Sequence, residues 1–460
     1  MPSASSASNR PVPCAAIAVA ARRADIPPDT AGCSCLRTIV ELRRSRSRAH
    51  GRRSLPGSRC IAAATTLPYG IAVKTLFARS GTGNRHFLDL AAHQQFKVVL
   101  SRGDKDEAWD AFLAATPGGH HAQTSLWAQV KLSLGWEALR IIVLQGDRIV
   151  AGVQVSMRRL APAVWLGVVS KGPVVTANDP GLQALLIDHL IAATKQHSIQ
   201  VLVVQPPNNA FTLPKVLQEK GFRPTTLEVA PTATVQIDLG QDADAILKGM
   251  KKKTRRYIRH GLRIGVIGRE GTDGELATFY RLLKATSART DWPVYAETYY
   301  AEILRVFSSR GHVKLLFAEY GGAPVSSQLL IAFGDTVIAK NSGWSGQFRG
   351  LGINNVLEWA SIQWAKRQGY RYYDLEGITT KTAQSALKGL GANAADPWCY
   401  YKLQYGGQVR FFPQAHGPHP QPVGVLGRRC AFRTREAADR QEHPQQDALA
   451  LRGKTRALVS

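Results

Sequence analysis

The chain has 460 residues, 44% of them hydrophobic, with 59 Lys+Arg against 33 Asp+Glu and a formal charge of +26. That length and apolar share exclude a small disulfide- or metal-stapled fold and leave room for two or three domains. No run approaches the ~18–20 apolar residues of a membrane-spanning helix, and the charge favours an anionic partner or surface without bearing on fold.

In chain order, residues 1–88 come first, with 14 Lys+Arg against 3 Asp+Glu and no sustained periodicity. They read as a disordered basic tail, either a start placed upstream of the true one or a targeting segment. Residues 413–460, with 8 Lys+Arg against 4 Asp+Glu, read as a second disordered tail. The tails carry +11 and +4, so the middle keeps the remaining +11 of the +26. Five of the six cysteines lie in the tails, and Cys33 and Cys35 lack a second pair or a His cluster, so no metal site is expected. Cys399 reads as a small packed residue.

The middle contains one pattern twice. Ala138 to Leu144 is an apolar strand, Gly146-Asp147 a turn, and Ile149 to Met157 the returning strand. Leu182 to Ala193 has helical spacing, Ile199 to Val204 is a buried strand, and Leu213 to Lys220 is a helix ending at Gly221-Phe222. The second copy has strands at Val313 to Ala318 and Val325 to Phe333 around Gly321-Gly322, a helix from Asn354 to Gln368 closed by Gly369, and a strand from Tyr370 to Leu375. Gly146 and Gly321 stand 175 residues apart, Ile199 and Tyr370 171 apart, which indicates a duplicated domain. Between the copies, Lys251 to Arg259 packs six cations into nine positions. On a helix, Lys251, Arg255 and Arg259 share a face, where like charges repel unless an anion such as a pyrophosphate neutralises them.

Hairpin, helix, strand, helix resembles the GNAT acyltransferase fold, in which an acyl donor sits where two parallel strands part. Further blocks narrow the resemblance. They are Gln123-Thr-Ser-Leu-Trp127-Ala-Gln-Val-Lys131 with Gly135-Trp136, then Lys171-Gly172-Pro173-Val174, then Lys253-Thr254-Arg255 with Ile258-Arg259. Ala288-Arg289, Tyr299-Tyr300, Asn354-Asn355 to Trp359 and Tyr373-Asp374-Leu375-Glu376-Gly377 follow. In this order, over roughly residues 95 to 412, the set resembles the Fem-type (FemX/FemAB) aminoacyltransferases of peptidoglycan bridges.

The resemblance implies an α/β (α+β) fold of two tandem GNAT-like domains with mixed central sheets, at 89–236 and 237–403. A C-terminal strand within 404–412 would return to the first domain. It implies transfer of an amino acid from aminoacyl-tRNA to the stem-peptide amine of a UDP- or lipid-linked muropeptide, with no further cofactor. Lys131 and Arg255 would contact the precursor's phosphates, with Tyr257 and Arg259 beside them. Lys402, in Tyr401-Lys402 ahead of Gly406-Gly407, would serve the aminoacyl end and stabilise the oxyanion. Such an ester needs no protein nucleophile, and the sequence offers no Ser-His-Asp or Cys-His set. Asp374 and Glu376 stand at a strand end as candidate proton acceptors.

Two departures matter. No long heptad stretch stands between Gly265 and Val313, so the likeness is to family members without a helical hairpin. Gln347-Phe-Arg-Gly350-Leu-Gly352 fits the loop with which GNAT acetyltransferases hold coenzyme A at a helix N-terminus. Acetyl-coenzyme A-dependent acyl transfer is therefore the alternative, and a non-catalytic nucleic-acid binder the third class. The expected location is cytoplasmic, with peripheral contact at the inner membrane surface and no transmembrane segment.

Overall fold

β-branched, apolar runs such as Ile-Gln-Val-Leu-Val-Val form the centres of two mixed sheets, each covered by helices whose apolar stripes face inward. The computed structural model describes residues 96–161, 164–290, 292–389 and 397–418, all within one compact unit. Residues 1–95 and 419–460, which include most of both expected tails, lie outside the described residues.

The first half comprises β1 (Phe96–Ser101), α1 (Glu107–Ala115), α2 (Ser125–Leu132), β2 (Glu137–Gln145), β3 (Arg148–Ala161), β4 (Val164–Ser170), β5 (Val174–Val175), α3 (Pro180–Gln196), β6 (Ile199–Gln205), α4 (Leu213–Glu219) and β7 (Phe222–Pro224). After β8 (Ala233–Asp238) the second half begins with α5 (Ala243–Gly249), α6 (Lys252–Arg263), β9 (Ile267–Glu270), α7 (Leu276–Thr290) and α8 (Glu297–Phe307). It continues through β10 (Val313–Tyr320), β11 (Ala323–Phe333), β12 (Thr336–Trp344), α9 (Ile353–Arg367), β13 (Tyr372–Gly377), α10 (Thr380–Leu387) and α11 (Pro397–Leu403) to β14 (Gln408–Phe411) and β15 (His416–Pro418).

The sheets run β1-β2-β3-β4-β6-β15-β7 and β9-β10-β11-β12-β13-β8-β14, with β5 paired to β3. The two orders superimpose element for element: an antiparallel hairpin, a third strand, then a parallel partner across a helix. The expected duplication is therefore present in the topology. The halves also exchange strands. β8 follows the first half in sequence but pairs with β13 and β14. β15 follows the second half but pairs with β6 and β7.

This corrects two expectations. Residues 404–412 do not return to the first sheet, because β14 runs antiparallel to β8 in the second. The returning strand is β15, inside the stretch read as tail, and the low hydropathy of His-Gly-Pro concealed it.

The halves also share cores. Trp109, Leu113, Ile142 and Val174 cluster with Phe333 of β11, and the Trp109 indole donates to the Gln123 carbonyl at 2.7 Å. Leu126, Trp127 and Val130 of α2 pack among Tyr299, Tyr300, Ile303 and Phe307 of α8. Burial of each such side chain contributes about 1.5–3 kcal/mol, and α2, which carries Lys131, is thereby fixed against the second half.

Candidate active site

The second half opens where its parallel strands part. β12 and β13 pair from Thr336↔Tyr372 to Ile338↔Asp374 and then diverge. β12 bulges there: Leu330 faces Ala339 and Leu329 faces Asn341, leaving Lys340 as the extra residue. β13 bulges opposite: Asp374 faces Gln236 and Gly377 faces Thr234, so Leu375 and Glu376 share the place of one residue. Lys340 and Glu376 form an ion pair across the gap.

Groups of the first half surround this pair. Thr124 caps α2 by accepting the Trp127 N–H at 3.0 Å. One turn on, the Lys131 ammonium lies 5.9 Å from the Trp127 ring and 5.5 Å from the Trp136 ring. Desolvation by burial, then the charges of Lys340 and Arg158, bring its pKa down to about 8. The residue as a whole is half-buried, while the ammonium sits deep enough to feel Lys340. Burial, then the charges of Lys171 and Lys340, hold His120 neutral with a pKa of about 3. His121, buried beside it, is likewise pushed well down.

Lys171 follows β4 and is buried. Its ammonium donates to the Pro231 carbonyl at 3.0 Å and lies 4.2 Å from the Phe412 ring, which ties the first half to the linker and to the chain's return. Burial brings its pKa down to about 7, partly offset by Asp374. The next peptide, Gly172–Pro173, is cis, as suits a tight turn.

The end of β13 is held from the other side. Lys402 of α11 donates to the Gly377 carbonyl at 2.8 Å. Asp374 is buried and accepts from the Thr234 hydroxyl at 2.5 Å and from the Glu376 N–H at 2.7 Å. Its burial raises its pKa, against those two hydrogen bonds. Behind it Glu358 of α9, also buried and pushed up, accepts from Tyr373 at 2.6 Å. Four lysines and two carboxylates thus meet at this parting, an arrangement suited to an anionic ligand and to charge developing on oxygen.

Of the residues expected from sequence, Lys131 and Lys402 reach this junction from opposite sides. Arg255 does not join them in the described contacts: its guanidinium turns back to the Lys248 carbonyl at 2.9 Å and to the Met250 carbonyl, pinning the start of α6. Lys251 precedes the helix as its cap, so the expected Lys251–Arg255–Arg259 face becomes Lys252, Arg256, Arg259 and Arg263 on the outside, all exposed. Thr254, Ile258 and Gly261 form the buried face. A side chain at Gly261 would strike Val356, so this glycine lets α6 lie against α9.

Tyr257 accordingly sits beside the Gln347–Gly352 loop, its backbone against Gly352, while Arg259 stays on the outer face. Gly350 and Gly352 have φ of 83° and 81°. Gly352 caps α9 without a side-chain hydrogen bond, which leaves the first N–H groups of α9 without a capping side chain. Lys340, Lys171, His120 and Arg158 were missed as site residues by sequence reasoning. The charged residue inside the β12 pattern was the only signal for Lys340. Among the described residues no three His, Cys, Asp or Glu gather as for a metal, and no helix is long and apolar enough to cross a membrane.

Residues 248–384 match a family model described as an acetyltransferase (GNAT) domain. The chain is similar to the lipid II:glycine glycyltransferase of Staphylococcus saprophyticus, with 23% identity over 235 residues, 49% of this chain and 57% of that protein. Its likeness to the lipid II:glycine glycyltransferase of Staphylococcus aureus (strain MRSA252) is 25% over 221 residues, 46% of this chain and 52% of that protein. The chain thus spans 57% and 52% of the length of these curated relatives. In fold it matches the crystal structure of FemX at a TM-score of 0.61 and 16% identity, covering 72% of this chain and 99% of FemX. The chain thus carries a GNAT domain in its second half, shares its fold with FemX and is similar in sequence to the lipid II:glycine glycyltransferases.

Proposed function

We propose that the protein is an aminoacyltransferase that moves an aminoacyl group from aminoacyl-tRNA to the stem-peptide amine of a lipid- or UDP-linked peptidoglycan precursor. The observation that carries this reading is the meeting of Lys131 with the Lys340–Glu376 pair at the parted strands, in a chain similar to lipid II:glycine glycyltransferases. A precursor of either kind carries a diphosphate. Lys131, short of solvation and beside other cations, gains more from such a ligand than a solvated lysine would. Lys402 lies at the end of β13, where a positioned ammonium stabilises the oxyanion formed when an amine attacks an ester. The ester is already activated, so no covalent intermediate on the protein is required. The work place of such an enzyme is the cytoplasmic membrane surface, where a lipid-linked acceptor is exposed.

Incubation of the full chain with charged tRNAs and either UDP-muramyl-pentapeptide or lipid II tests the reading. The expected result is a mass gain of one amino acid on the stem peptide. No gain with any charged tRNA on either acceptor overturns it.

One observation favours a second reading. The Gln347–Gly352 loop leads into an α9 N-terminus that lacks a side-chain cap, a setting that suits a coenzyme A pyrophosphate. Calorimetry with acetyl-coenzyme A separates the two readings: tight binding abolished by Gly350→Glu supports the second.

A further inference from the structure

Both strands at the parting break register, and each break places one charged residue there. On β12 the extra residue is Lys340. On β13 Glu376 occupies the bulge with φ of 62°. A left-handed conformation at a residue other than glycine costs about 1–3 kcal/mol and persists where its surroundings impose it. Bulges commonly re-aim side chains beside active sites.

The two carboxylates at this strand end differ. Asp374 is 6% exposed, and its Oδ1 accepts from Thr234 and from the Glu376 N–H, so it shapes the bulge. The Glu376 side chain is 24% exposed and its carboxylate faces a primary ammonium, that of Lys340. The acceptor in the reading above also presents a primary ammonium. The Lys340–Glu376 pair therefore displays how this carboxylate holds such a group. Around it stand Lys340 on β12, Asp374 on β13 and Tyr299 on α8. Lys131 on α2, with His120 and His121 before it, faces Lys340 from the first half.

We propose that Glu376 is the proton acceptor for the attacking amine, an inference that rests on the acyl-transfer reading. The acceptor's ammonium displaces Lys340 and gives one proton to the Glu376 carboxylate. The freed nitrogen pair attacks the ester carbonyl carbon, forming the C–N bond. The C–O bond then breaks, its electron pair leaves on the ribose oxygen, and the second amine proton goes to that oxygen. Glu376 afterwards releases its proton to solvent, and the products are an amide and a free hydroxyl.

The test uses the full chain carrying Glu376→Gly or Glu376→Gln. Gly suits φ of 62°, so Glu376→Gly should unfold at or above the wild-type temperature. We expect kcat to fall by about 10²–10⁴-fold with the donor KM unchanged. Formate should restore the rate of Glu376→Gly in proportion to its concentration, because it fills the vacated carboxylate position, and should not restore Glu376→Gln. Wild-type kcat in either variant, or a loss in Glu376→Gly that formate does not rescue, overturns the proposal. The assay is run with aminoacyl-tRNA and with acetyl-coenzyme A, since an amine must be deprotonated for either donor. Transfer from acetyl-coenzyme A alone that depends on Glu376 refutes the tRNA reading and supports the base. Transfer from aminoacyl-tRNA that ignores Glu376 does the reverse, and transfer from neither donor refutes both.

Discussion

The same parallel pair is built twice and finished differently. In the first half β4 and β6 stay paired to the end of both strands, from Trp165↔Ile199 to Ser170↔Gln205. In the second half β12 and β13 part after Ile338↔Asp374. Composition accounts for the difference. The strands Val-Trp-Leu-Gly-Val-Val and Ile-Gln-Val-Leu-Val-Val are apolar apart from the exposed Gln200, whereas β12 continues as Lys340-Asn341-Ser342, side chains that favour a wet gap over a dry seam. A duplication has thus produced one half with an opening and one that supplies side chains to it. The exchange of β8 and β15 makes each half complete the other's sheet.

The turn after the third strand sharpens this contrast and carries the largest expected effect. In the second half that turn ends at Gly352, where a Cβ would overlap the Tyr257 carbonyl and the φ of 81° is unfavourable for any other residue. Gly352→Ala should destabilise the protein by about 3 kcal/mol or more, the sum of backbone strain and overpacking. In the first half a Cβ at Gly172 would meet the Gln123 side-chain oxygen at 2.6 Å. That is a movable group, although it is buried and accepts the Gln154 N–H at 2.8 Å. Gly172→Ala should cost less, about 1–2 kcal/mol. Denaturant unfolding of both variants checks the order, and a reversed order would make the first half's turn the stiffer of the two.

The next contrast separates two cations that the sequence presented alike. Lys131→Ala should weaken acceptor use by about 1.5–3 kcal/mol in kcat/KM, with the unfolding midpoint unchanged or higher, because burial already disfavours that charge. Arg255→Ala should lower stability by about 1 kcal/mol as well, since two carbonyls at the start of α6 lose their donor. Steady-state kinetics beside thermal unfolding reads both. An acceptor effect for Arg255→Ala as large as that for Lys131→Ala would tie the basic helix to the same ligand. Wild-type acceptor kinetics would leave Arg255 a structural residue.

How far the sequence disclosed this arrangement follows from what each feature depends on. Local periodicity and Gly turns made both hairpins, α3, β6, α9 and β13 legible, because those signals reside in neighbouring residues. β12 was harder, since its polar second part breaks the strand pattern at the functional gap. The strand exchange was hidden because alternation identifies a strand without naming its partner. Lys131, Lys402 and the Asp374–Glu376 strand end were visible in short blocks. Lys340 was not, because a bulge is a property of register between two strands. Lys171 was visible only as part of a turn, since its burial depends on Pro231 and Phe412, far away in sequence.

The smallest expected effect concerns protons, and it tests whether the first half supplies the charge. Lys171 and Lys131 titrate at about 7 and about 8 in the folded protein, against ~10.4 for an unperturbed lysine. Between pH 7 and 10 the unfolded chain therefore binds more protons, and these two groups make stability rise with pH. An anion bound beside them favours their charged forms, so its binding takes up protons and its affinity must fall as pH rises through the same window. For one proton the slope is at most ~1.4 kcal/mol per pH unit. Thermal unfolding with and without pyrophosphate should show the ligand-induced shift shrinking from pH 6 to pH 9. Lys171→Met should remove the part of the slope near pH 7, and Lys131→Met the part near pH 8. If the shift is the same at every pH and in both variants, pyrophosphate binds at other cations, of which the exposed outer face of α6 is the largest source, and the division of labour between the halves fails.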